Sequence, residues 1–326
     1  MVIHEILFSP IAKELQEVEE RLKSGLESSS PLISEAVGYV LASGGKRIRP
    51  AVLLLSAKLC GFRGGSRNID LASVAEYMHV ATLIHDDIID NADKRRGLPS
   101  ANSKWGPQVS VLVGDFLYAR AIQILVEDGD FQVLKAFADA TVSMAEGEVL
   151  ELQMARNLHL TYEDYLTIIT CKTAALISAA CRAGALIAKA GREQVEALAA
   201  FGLNLGIGFQ LVDDALDFVG HRERLGKPVG NDFKEGKITF PVIHLLENGS
   251  EEVKRRVREL LAQEAFNEED LFEVRRLVER HHGIPATMER AQGFLEKAKS
   301  SLWIFPDSPP KRSLFLMADF VRERDW

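Results

Sequence analysis

Proline placement is the feature of this sequence that most restricts its fold. No proline lies between Pro107 and Pro228, and proline is the residue that most often kinks or ends a helix. Apolar residues inside that interval recur three or four positions apart, which is the spacing of a buried helical face. Sustained alternation of apolar and polar residues, the pattern typical of strands, is missing. The sequence therefore predicts an all-α protein.

We predict a single domain over residues 1–326, folded as one large bundle of about ten to thirteen helices. A chain of 326 residues can bury a sizeable core without disulfides, and neither a linker rich in Ser, Gly and Pro nor an internal repeat divides it. Helices are predicted at 10–27, 31–43, 50–60, 69–92, 106–127, 131–156, 162–189, 193–219, 238–247, 250–263, 268–281, 285–304 and 309–324. Two charged loops, 93–104 and 220–237, each follow a helix with an aspartate cluster.

Composition and charge exclude several classes of protein. The net charge of −8 argues against a general nucleic-acid surface, which needs clustered Lys and Arg. The three cysteines show no spacing of a disulfide framework or a zinc site. Residues 1–10 lack the pattern of a signal peptide, and no run reaches the ~18 uncharged apolar residues of a membrane span. We therefore expect a reduced, cytoplasmic protein without a transmembrane segment.

The first aspartate cluster reads His85-Asp86-Asp87-Ile88-Ile89-Asp90. Asp86 and Asp90 are four residues apart, so on a helix they project from the same face. Two carboxylates ~4 Å apart repel each other by roughly 4 kcal/mol at an effective dielectric near 20. A hard divalent cation offsets that repulsion, and magnesium typically takes one or two carboxylates together with substrate phosphates. The spacing therefore favours a magnesium site.

A second cluster, Asp213-Asp214-Ala215-Leu216-Asp217, repeats the pattern 127 residues after the first. Two such helices facing each other would hold a few magnesium ions, neutralise a diphosphate and draw electrons from its bridging oxygen. The alternative is that each cluster is a solvated acidic helix face. Apolar residues surround both copies, and an acidic patch inside an apolar helix is costly unless it is paired or bound to metal. The two copies together favour the metal site.

Basic residues lie beside both clusters. Gly44-Gly45-Lys46-Arg47-Ile48-Arg49-Pro50 precedes the first cluster, and Arg95-Arg96-Gly97 follows it. Glycines let a backbone approach an anion closely, and the cations supply charge-assisted donors. The stretch from Gly226 to Pro241 after the second cluster is also rich in lysine and glycine. Such neighbours fit a site for metal–phosphate complexes, although surface ion pairing could give the same composition.

In order and spacing, these segments resemble the trans-isoprenyl diphosphate synthase family, the polyprenyl synthetases. The GGKRIRP segment is similar to the family's isopentenyl diphosphate site, and DDIID with RRG is similar to its first aspartate motif. FQLVDDALD and the loop after it resemble the second. The resemblance covers nearly the whole chain, and it implies the isoprenoid synthase fold, a helical bundle around a central cavity. It also implies successive 1'-4 condensation of isopentenyl diphosphate onto an allylic diphosphate such as farnesyl or geranyl diphosphate, with Mg²⁺ as cofactor.

The resemblance also implies residue roles. Lys46, Arg49 and Arg96, with His79 beside them, would bind isopentenyl diphosphate. Asp86, Asp90 and Asp213 would bind magnesium, supported by Asp87, Asp214 and Asp217. The allylic diphosphate would be held by Arg95, Lys172, Thr173, Gln210, Lys227 and Lys237. We count the six aspartates with Lys172 and Lys227 as the catalytic set. For His79 the alternative is a structural histidine, and for Lys172 a lysine whose head merely reaches solvent.

Product length in the resembling family depends on the residues below the first motif. Ala81 and Thr82 are the fifth and fourth residues before Asp86. Neither is a large aromatic, so the chamber is expected to be open beyond farnesyl length, with Tyr77 further down the same helix. We therefore favour a medium- to long-chain product of the octaprenyl type. The alternative is that Ala81 only packs against a neighbouring helix.

Three other functions stay open at this point. A short-chain synthase making farnesyl or geranylgeranyl diphosphate would share every motif. A terpene cyclase would not need the GGKRIRP and Arg96 cluster, because it uses a single diphosphate. A non-catalytic partner subunit usually loses one aspartate motif, whereas both are complete here. The resemblance implies a homodimer, and peripheral membrane contact for release of a lipid product is possible.

Overall fold

The computed structural model of the chain describes residues 7–24, 28–219, 230–263 and 266–323. Most of these residues are helical, and the all-α prediction is confirmed. The helices are α1 (Ala12–Ser24), α2 (Pro31–Ala42), α3 (Ile48–Leu59), α4 (Arg67–Ile89), α5 (Ala101–Asp128), α6 (Phe131–Met154), α7 (Tyr162–Ile169), α8 (Ala175–Ile187), α9 (Arg192–Val219), α10 (Asn231–Lys234), α11 (Phe240–Asn248), α12 (Glu251–Leu261), α13 (Glu268–Arg280), α14 (Gly283–Ser301) and α15 (Pro309–Arg322). A short 3₁₀ helix, Ser9–Ile11, precedes α1.

The chain forms two compact units, each assembled from separate segments. The first unit contains residues 1–141, 176–202 and 301–317, and the second contains 142–175, 203–300 and 318–326. The first therefore includes α1 to α5, and the second includes α7 and α10 to α13. The single domain inferred from the sequence stays a prediction.

Helix α4 ends earlier than the sequence indicated. It was predicted over 69–92, but it ends at Ile89, and Asp90 is its C-terminal cap. Asn91 adopts a left-handed backbone with φ of 49°, a conformation that asparagine tolerates better than most residues. That turn stops the helix. Asp86 and Asp87 therefore lie in the last turn of α4.

A small β-hairpin follows α4 where a loop was predicted over 93–104. Lys94–Arg95 (β1) pairs antiparallel with Leu98–Pro99 (β2). Strands of two residues are too short to show alternation, so the pattern could not reveal them. The end of that range is also wrong, because α5 already begins at Ala101 and the Ser100 hydroxyl accepts a hydrogen bond from the Ser103 amide at 3.0 Å.

Helix α5 contains a break near its start. Gly106 has φ of 80° and ψ of 166°, far from helical values, and Pro107 follows it. Proline is favoured in the first turn of a helix, where its missing N–H would have no partner. The predicted start at residue 106 therefore matches the point where the long regular part of α5 begins.

The predicted helix 162–189 is interrupted by a π-helical turn. A capping box of Thr161 and Asp164 begins α7, and residues Thr170–Ala174 form the π turn before α8. Glycines lie against this turn: a Cβ on Gly147 would come within 2.7 Å of the Lys172 amide, and one on Gly206 within 2.5 Å of the Ala174 Cα. The wider turn therefore fits between two helices that present backbone instead of side chains.

The second predicted loop, 220–237, is described only from Gly230 onward, and the stretch 220–229 lies outside the described residues. Within the described part, Asn231–Lys234 forms the short helix α10, so the prediction of an irregular loop is wrong there. Gly230 has φ of 76°, which glycine adopts without the steric penalty of other residues.

Within the part of the chain that the structure describes, three helical stretches are long and apolar enough to cross a membrane, judged by length and composition alone. They are Ala101–Asp128, Tyr162–Ile187 and Arg192–Val219. More than half of the most apolar window is buried within the protein for the second and third stretches, but only 33% for the first. The absence of a transmembrane segment stays a prediction.

Candidate active site

The first aspartate cluster contains carboxylates in different environments. Asp86 and Asp90 are separated by one helical turn, and the Asp90 amide donates to the Asp86 carbonyl at 2.8 Å. Both residues keep exposed surface, whereas Asp87 is 3% exposed. The Arg95 Nε donates to the Asp87 Oδ1 at 2.7 Å. Asp86 and Asp90 are thus placed to meet a ligand, while Asp87 orients a cation of the hairpin.

The β-hairpin presents Arg95 and Arg96 close to the last turn of α4. Arg96 and Gly97 occupy its turn, and both have left-handed φ angles, 52° and 79°. A two-residue turn of this kind matches the twist of a tight hairpin. The predicted approach of Arg95 to the first cluster is therefore seen directly at Asp87. The role predicted for Arg96 in binding a diphosphate stays a prediction.

His79 lies on α4 among arginines from neighbouring segments. Burial of the ring holds its pKa well below the usual range, and Arg49, Arg96, Arg95 and Arg47 add to that shift by repelling the protonated form. The ring keeps some exposed surface. A neutral imidazole in a cluster of cations can offer one N–H donor and one acceptor without repelling an anion. This position agrees with the predicted proximity of His79 to Arg49 and Arg96.

The second aspartate cluster lies at the end of α9 and forms part of a hydrogen-bonded network. The Tyr165 hydroxyl donates to the Asp214 Oδ2 at 2.5 Å, and the Gln210 Nε2 donates to the Asp214 Oδ1 at 2.8 Å. The Thr173 hydroxyl donates to the Gln210 Oε1 at 2.9 Å. Asp214 is 2% exposed, and burial raises its pKa, while hydrogen bonds from Tyr165 and Gln210 oppose that shift. Thr173, Gln210 and Asp214, all predicted as site residues from the sequence, are thus joined in one network.

Asp217, the last residue of the second cluster, anchors the chain that returns after α9. Its carboxylate accepts hydrogen bonds from the amides of Asn231 and Asp232 at 3.2 Å each. Its carbonyl accepts from the Gly230 amide at 2.9 Å. Asp217 therefore holds the start of α10, and Asp213, the first aspartate of the cluster, is half-buried.

Two lysines predicted to hold a diphosphate lie in the same cavity as this network. The cavity has a volume of about 130 Å³. Its lining includes Lys172, Thr173, Gln210, Asp214 and Lys237. Glu151 and Asp232 also line it, so an anion in this cavity would meet the lysine head groups in a wall that carries both charges. Lys227, the third lysine of the prediction, lies outside the described residues.

Glutamates hold the lysine head groups of this cavity. Lys172 Nζ lies 2.7 Å from the Glu148 carboxylate and 2.6 Å from that of Glu151. Lys237 Nζ lies 2.8 Å from the Glu235 carboxylate and 3.8 Å from that of Glu151. Paired cations keep their charge when partly buried. The two lysines are therefore fixed at one wall of the cavity, with Glu151 shared between them.

Sequence reasoning missed Tyr165 and the glutamates of α6. Tyr165 lies in an apolar stretch of α7, where its spacing resembles that of any core aromatic. Glu148 and Glu151 lie on a helix that also carries Glu146, so their charge looked like a solvated face. The available signal was the three-residue spacing of Glu148 and Glu151, which puts both on one face of α6.

Of the residues predicted to set product length, two are buried in the first unit, whereas Thr82 keeps some exposed surface. Ala81 and Tyr77 have no exposed surface. The Tyr77 hydroxyl donates to the carbonyls of Arg21 and Leu22 in α1, at 3.3 and 3.4 Å. The Thr82 hydroxyl donates to the His79 carbonyl at 2.7 Å. Tyr77 thus links α4 to α1, and the influence of these three residues on product length stays a prediction.

Within the described ranges, no three side chains of His, Cys, Asp and Glu lie close enough together to hold a metal ion by themselves. The donors present are carboxylates, which suit magnesium when substrate phosphates complete its coordination. Asp86 and Asp90 would supply such carboxylates. The two aspartate clusters belong to different units. That they face each other stays a prediction.

Comparison with known proteins identifies the family. Residues 30–278 match the polyprenyl synthetase family. The chain is 37% identical to an octaprenyl diphosphate synthase of Haemophilus influenzae, over 96% of this chain and 94% of that one. A short chain isoprenyl diphosphate synthase of Methanothermobacter thermautotrophicus is 33% identical, over 97% of this chain and 98% of its own.

A solved structure shows the same fold. The polyprenyl synthase of Caulobacter crescentus, complexed with calcium and isoprenyl diphosphate, superposes with a TM-score of 0.94 at 36% identity, covering 98% of each chain. The fold and the clusters of carboxylates and cations define an isoprenyl diphosphate synthase. The chain belongs to the polyprenyl synthetase family, and it is a trans-prenyltransferase.

Proposed function

We propose that this trans-prenyltransferase uses Mg²⁺ to add isopentenyl diphosphate repeatedly to an allylic diphosphate, giving an octaprenyl-type product. The network joining Thr173, Gln210 and Asp214 beside Lys172 and Lys237 carries this proposal, since donors and cations converge on one cavity. The allylic diphosphate would be held there, with Arg95 and Lys227 contributing. Lys46, Arg49, His79 and Arg96 would hold isopentenyl diphosphate.

The reaction begins with cleavage of the allylic C1–O bond, and the bonding electrons leave with the diphosphate. Lys172 and Lys237 would stabilise the negative charge that develops on the leaving group. The double bond of isopentenyl diphosphate then forms the new C–C bond, and a proton is lost, which the departed diphosphate is able to accept. Magnesium bound near Asp86, Asp90 and Asp213 would supply Lewis-acid stabilisation of the same leaving group.

Product length follows from the depth of the chamber. Ala81 is small and fully buried on α4, five residues before Asp86. A small side chain at this position supports a product longer than farnesyl diphosphate. The octaprenyl diphosphate synthase of Haemophilus influenzae, at 37% identity, supports the same conclusion. A short-chain product is the alternative, since the short chain synthase of Methanothermobacter thermautotrophicus is 33% identical.

Substituting Ala81 tests the chain-length proposal. Ala81→Phe adds a ring in a fully buried position, so we expect the main product to shorten by several isoprene units. Chromatographic sizing of the dephosphorylated prenols measures this change. Ala81→Ser, which keeps a small side chain at the same position, is the control and should leave the distribution unchanged. An unchanged distribution in Ala81→Phe would show that this residue does not line the chamber.

We also propose that the active form is a homodimer in the cytoplasm. Helix α5 exposes Val111, Leu112, Ile122 and Val126, and a row of exposed aliphatic residues on one helix is typical of a contact surface. Helix α5 is also the least buried of the long apolar helices. Three free cysteines are consistent with a reducing compartment. Peripheral membrane contact would serve release of a lipid product.

The central experiment is incubation of the purified chain with farnesyl diphosphate, labelled isopentenyl diphosphate and Mg²⁺. We expect labelled long-chain prenols, and chelation of the metal should abolish them. A terpene cyclase would leave isopentenyl diphosphate unused, and a non-catalytic subunit would make no product alone. Asp86→Ala and Asp213→Ala should each lose activity by at least two to three orders of magnitude while keeping the helical circular dichroism signal. Wild-type activity in either variant would contradict its assignment.

A further inference from the structure

Within the GGKRIRP segment, the Arg47 side chain reaches residues of α1 and α4. The side chain is 10% exposed. Its Nη1 donates to the Glu76 Oε1 at 2.6 Å, and its Nη2 donates to the Glu19 Oε2 at 3.2 Å and to the Leu41 carbonyl at 3.3 Å. Its Nε donates to the other oxygen of Glu19. Arg47 therefore directs its donors into the protein, unlike a side chain that waits for a diphosphate.

Glu76 is the buried partner in this arrangement. It lies on α4, three residues before His79, and it is 3% exposed. A buried carboxylate is strongly destabilising unless cations and donors compensate for its lost hydration. Arg47 supplies the direct contact. Burial lowers the pKa of Arg96, the Glu76 carboxylate opposes that shift, and Arg95 and Arg47 add to it by repulsion.

Gly45 shows how close these cations are to one another. A Cβ on Gly45 would lie 3.3 Å from the Arg47 Nη1 and 3.3 Å from both terminal nitrogens of Arg96. Two guanidiniums thus pack against one backbone position. Like charges so close repel each other, and the Glu76 carboxylate lies where it offsets that repulsion.

The backbone of Arg47 is also unusual. Its φ of 49° and ψ of 36° are left-handed, immediately before α3 begins at Ile48. A left-handed conformation is unfavourable for an L-residue and persists when surrounding contacts determine it. The contacts of Arg47 with Glu19 and Glu76 hold its backbone in this conformation. The direction in which Lys46 leaves the turn therefore depends on these two ion pairs.

We propose that Glu76 and Arg47 are positioning residues for the diphosphate of isopentenyl diphosphate. Their ion pair fixes the turn that carries Lys46 and Arg49, and Glu76 stabilises Arg96 beside it. The cations that bind the diphosphate are thereby arranged before the substrate arrives, which lowers the cost of ordering them on binding. This inference rests on the proposed function, because it concerns one of the two proposed substrates.

The test separates the two substrates kinetically. Glu76→Gln keeps the shape of the side chain and removes its charge, and Arg47→Lys keeps the charge and removes the fork that reaches both glutamates. We expect each variant to raise the KM for isopentenyl diphosphate about tenfold, while kcat and the KM for farnesyl diphosphate change less than about twofold. The KM for isopentenyl diphosphate in the double variant should not exceed that of the more impaired single variant, because both changes break the same interaction.

A matched control is available on the same helices. Glu14 of α1 pairs with Lys58 of α3 at 2.6 Å, so Glu14→Gln removes a comparable ion pair that lies outside the proposed site. We expect it to lower the melting temperature without changing either KM. Equal rises in both KM values in Glu76→Gln and Arg47→Lys, or no rise in either, would overturn the inference. If the proposed function itself were wrong, the wild type would consume no isopentenyl diphosphate. That result distinguishes failure of the proposed function from failure of this inference.

Discussion

At the scale of single residues, His79 shows how a cluster of arginines controls a neighbouring histidine. Burial and four surrounding arginines hold its pKa well below the usual range. In the unfolded chain, histidine has a pKa near 6.5. Below that pH, the unfolded chain therefore binds a proton at this residue that the folded state does not bind. The free energy of unfolding is unaffected above about pH 6.5 and decreases as the pH falls below that value toward the depressed pKa of the folded state.

The consequence is a testable pH dependence of stability. Between pH 7.5 and 5.5, His79→Gln should lose about 1 kcal/mol less of its unfolding free energy than the wild type, because one proton-binding site of the unfolded chain is gone. Urea unfolding at both pH values measures this difference. His159→Gln, at an exposed histidine, is the control and should behave as the wild type. Equal losses in wild type and His79→Gln would contradict the shift.

The hydroxyl of Tyr165 gives a second prediction at this scale. Tyr165→Phe removes the donor to the Asp214 Oδ2 and leaves a buried carboxylate oxygen without it. We expect a loss of about 1.5–3 kcal/mol in unfolding free energy, the range for hydrogen bonds to charged groups. Tyr162→Phe, at the neighbouring half-buried tyrosine, should cost under about 0.5 kcal/mol. Chemical denaturation of both variants provides the measurement, and equal losses would contradict a specific role for Tyr165.

The sequence predicted which residues form the site better than it predicted what each of them contacts. DDxxD spacing indicates that Asp86 and Asp90 share a helix face, and the structure keeps both partly exposed. It does not indicate that Asp87 contacts Arg95 or that Asp217 holds the amides of α10. Those partners come from other segments of the chain. A one-dimensional spacing rule contains no information about such tertiary contacts.

At the scale of elements, a glycine of α5 leaves room for a side chain of α4. A Cβ on Gly114 of α5 would lie 2.2 Å from the His85 Nε2, well inside van der Waals distance. His85 also lies 3.2 Å from the Val111 carbonyl through that nitrogen. Because His85 directly precedes Asp86, the packing of this pair sets where the first aspartate cluster sits.

Gly114→Ala should therefore disturb the first cluster. We expect a loss of about 1–3 kcal/mol in stability from overpacking, together with reduced turnover, since the His85 ring must move. Gly293→Ala is the matched control in α14, where a Cβ would meet nothing within 4 Å, and it should be neutral or stabilise by up to about 1 kcal/mol. Thermal unfolding and steady-state turnover measure both effects. Wild-type stability and turnover in Gly114→Ala would show that the ring adapts freely.

Most helices were predictable because apolar residues repeat at helical spacing over many turns. The elements that were missed are short or irregular: the hairpin of Lys94–Arg95 with Leu98–Pro99, the helix Asn231–Lys234, and the π turn Thr170–Ala174. Each is shorter than the window in which a period can be measured. The π turn also depends on glycines of two other helices, which no local pattern reports.

At the scale of the whole molecule, the exposed face of α5 predicts self-association. Leu112 and Val126 are each 62% exposed, although aliphatic side chains gain roughly 1.5–3 kcal/mol when fully buried. Leu112→Lys combined with Val126→Lys should convert a dimer into monomers, which sedimentation velocity measures. Gln123→Lys, at a position of α5 whose side chain bonds to Glu127, is the control and should leave the dimer intact. A dimer that survives the double substitution would place its interface elsewhere.

The hydrogen bonds of Asp217 have a consequence for exchanging parts between synthases. Helix α9 ends at Val219, and the Asp217 carbonyl accepts the amide of Gly230 while its carboxylate accepts the first amides of α10. The first amides of a helix have no partner within the helix and need an acceptor from elsewhere. A chimera that takes α10 from another synthase should thus keep an aspartate at position 217, because the incoming helix begins on that carboxylate.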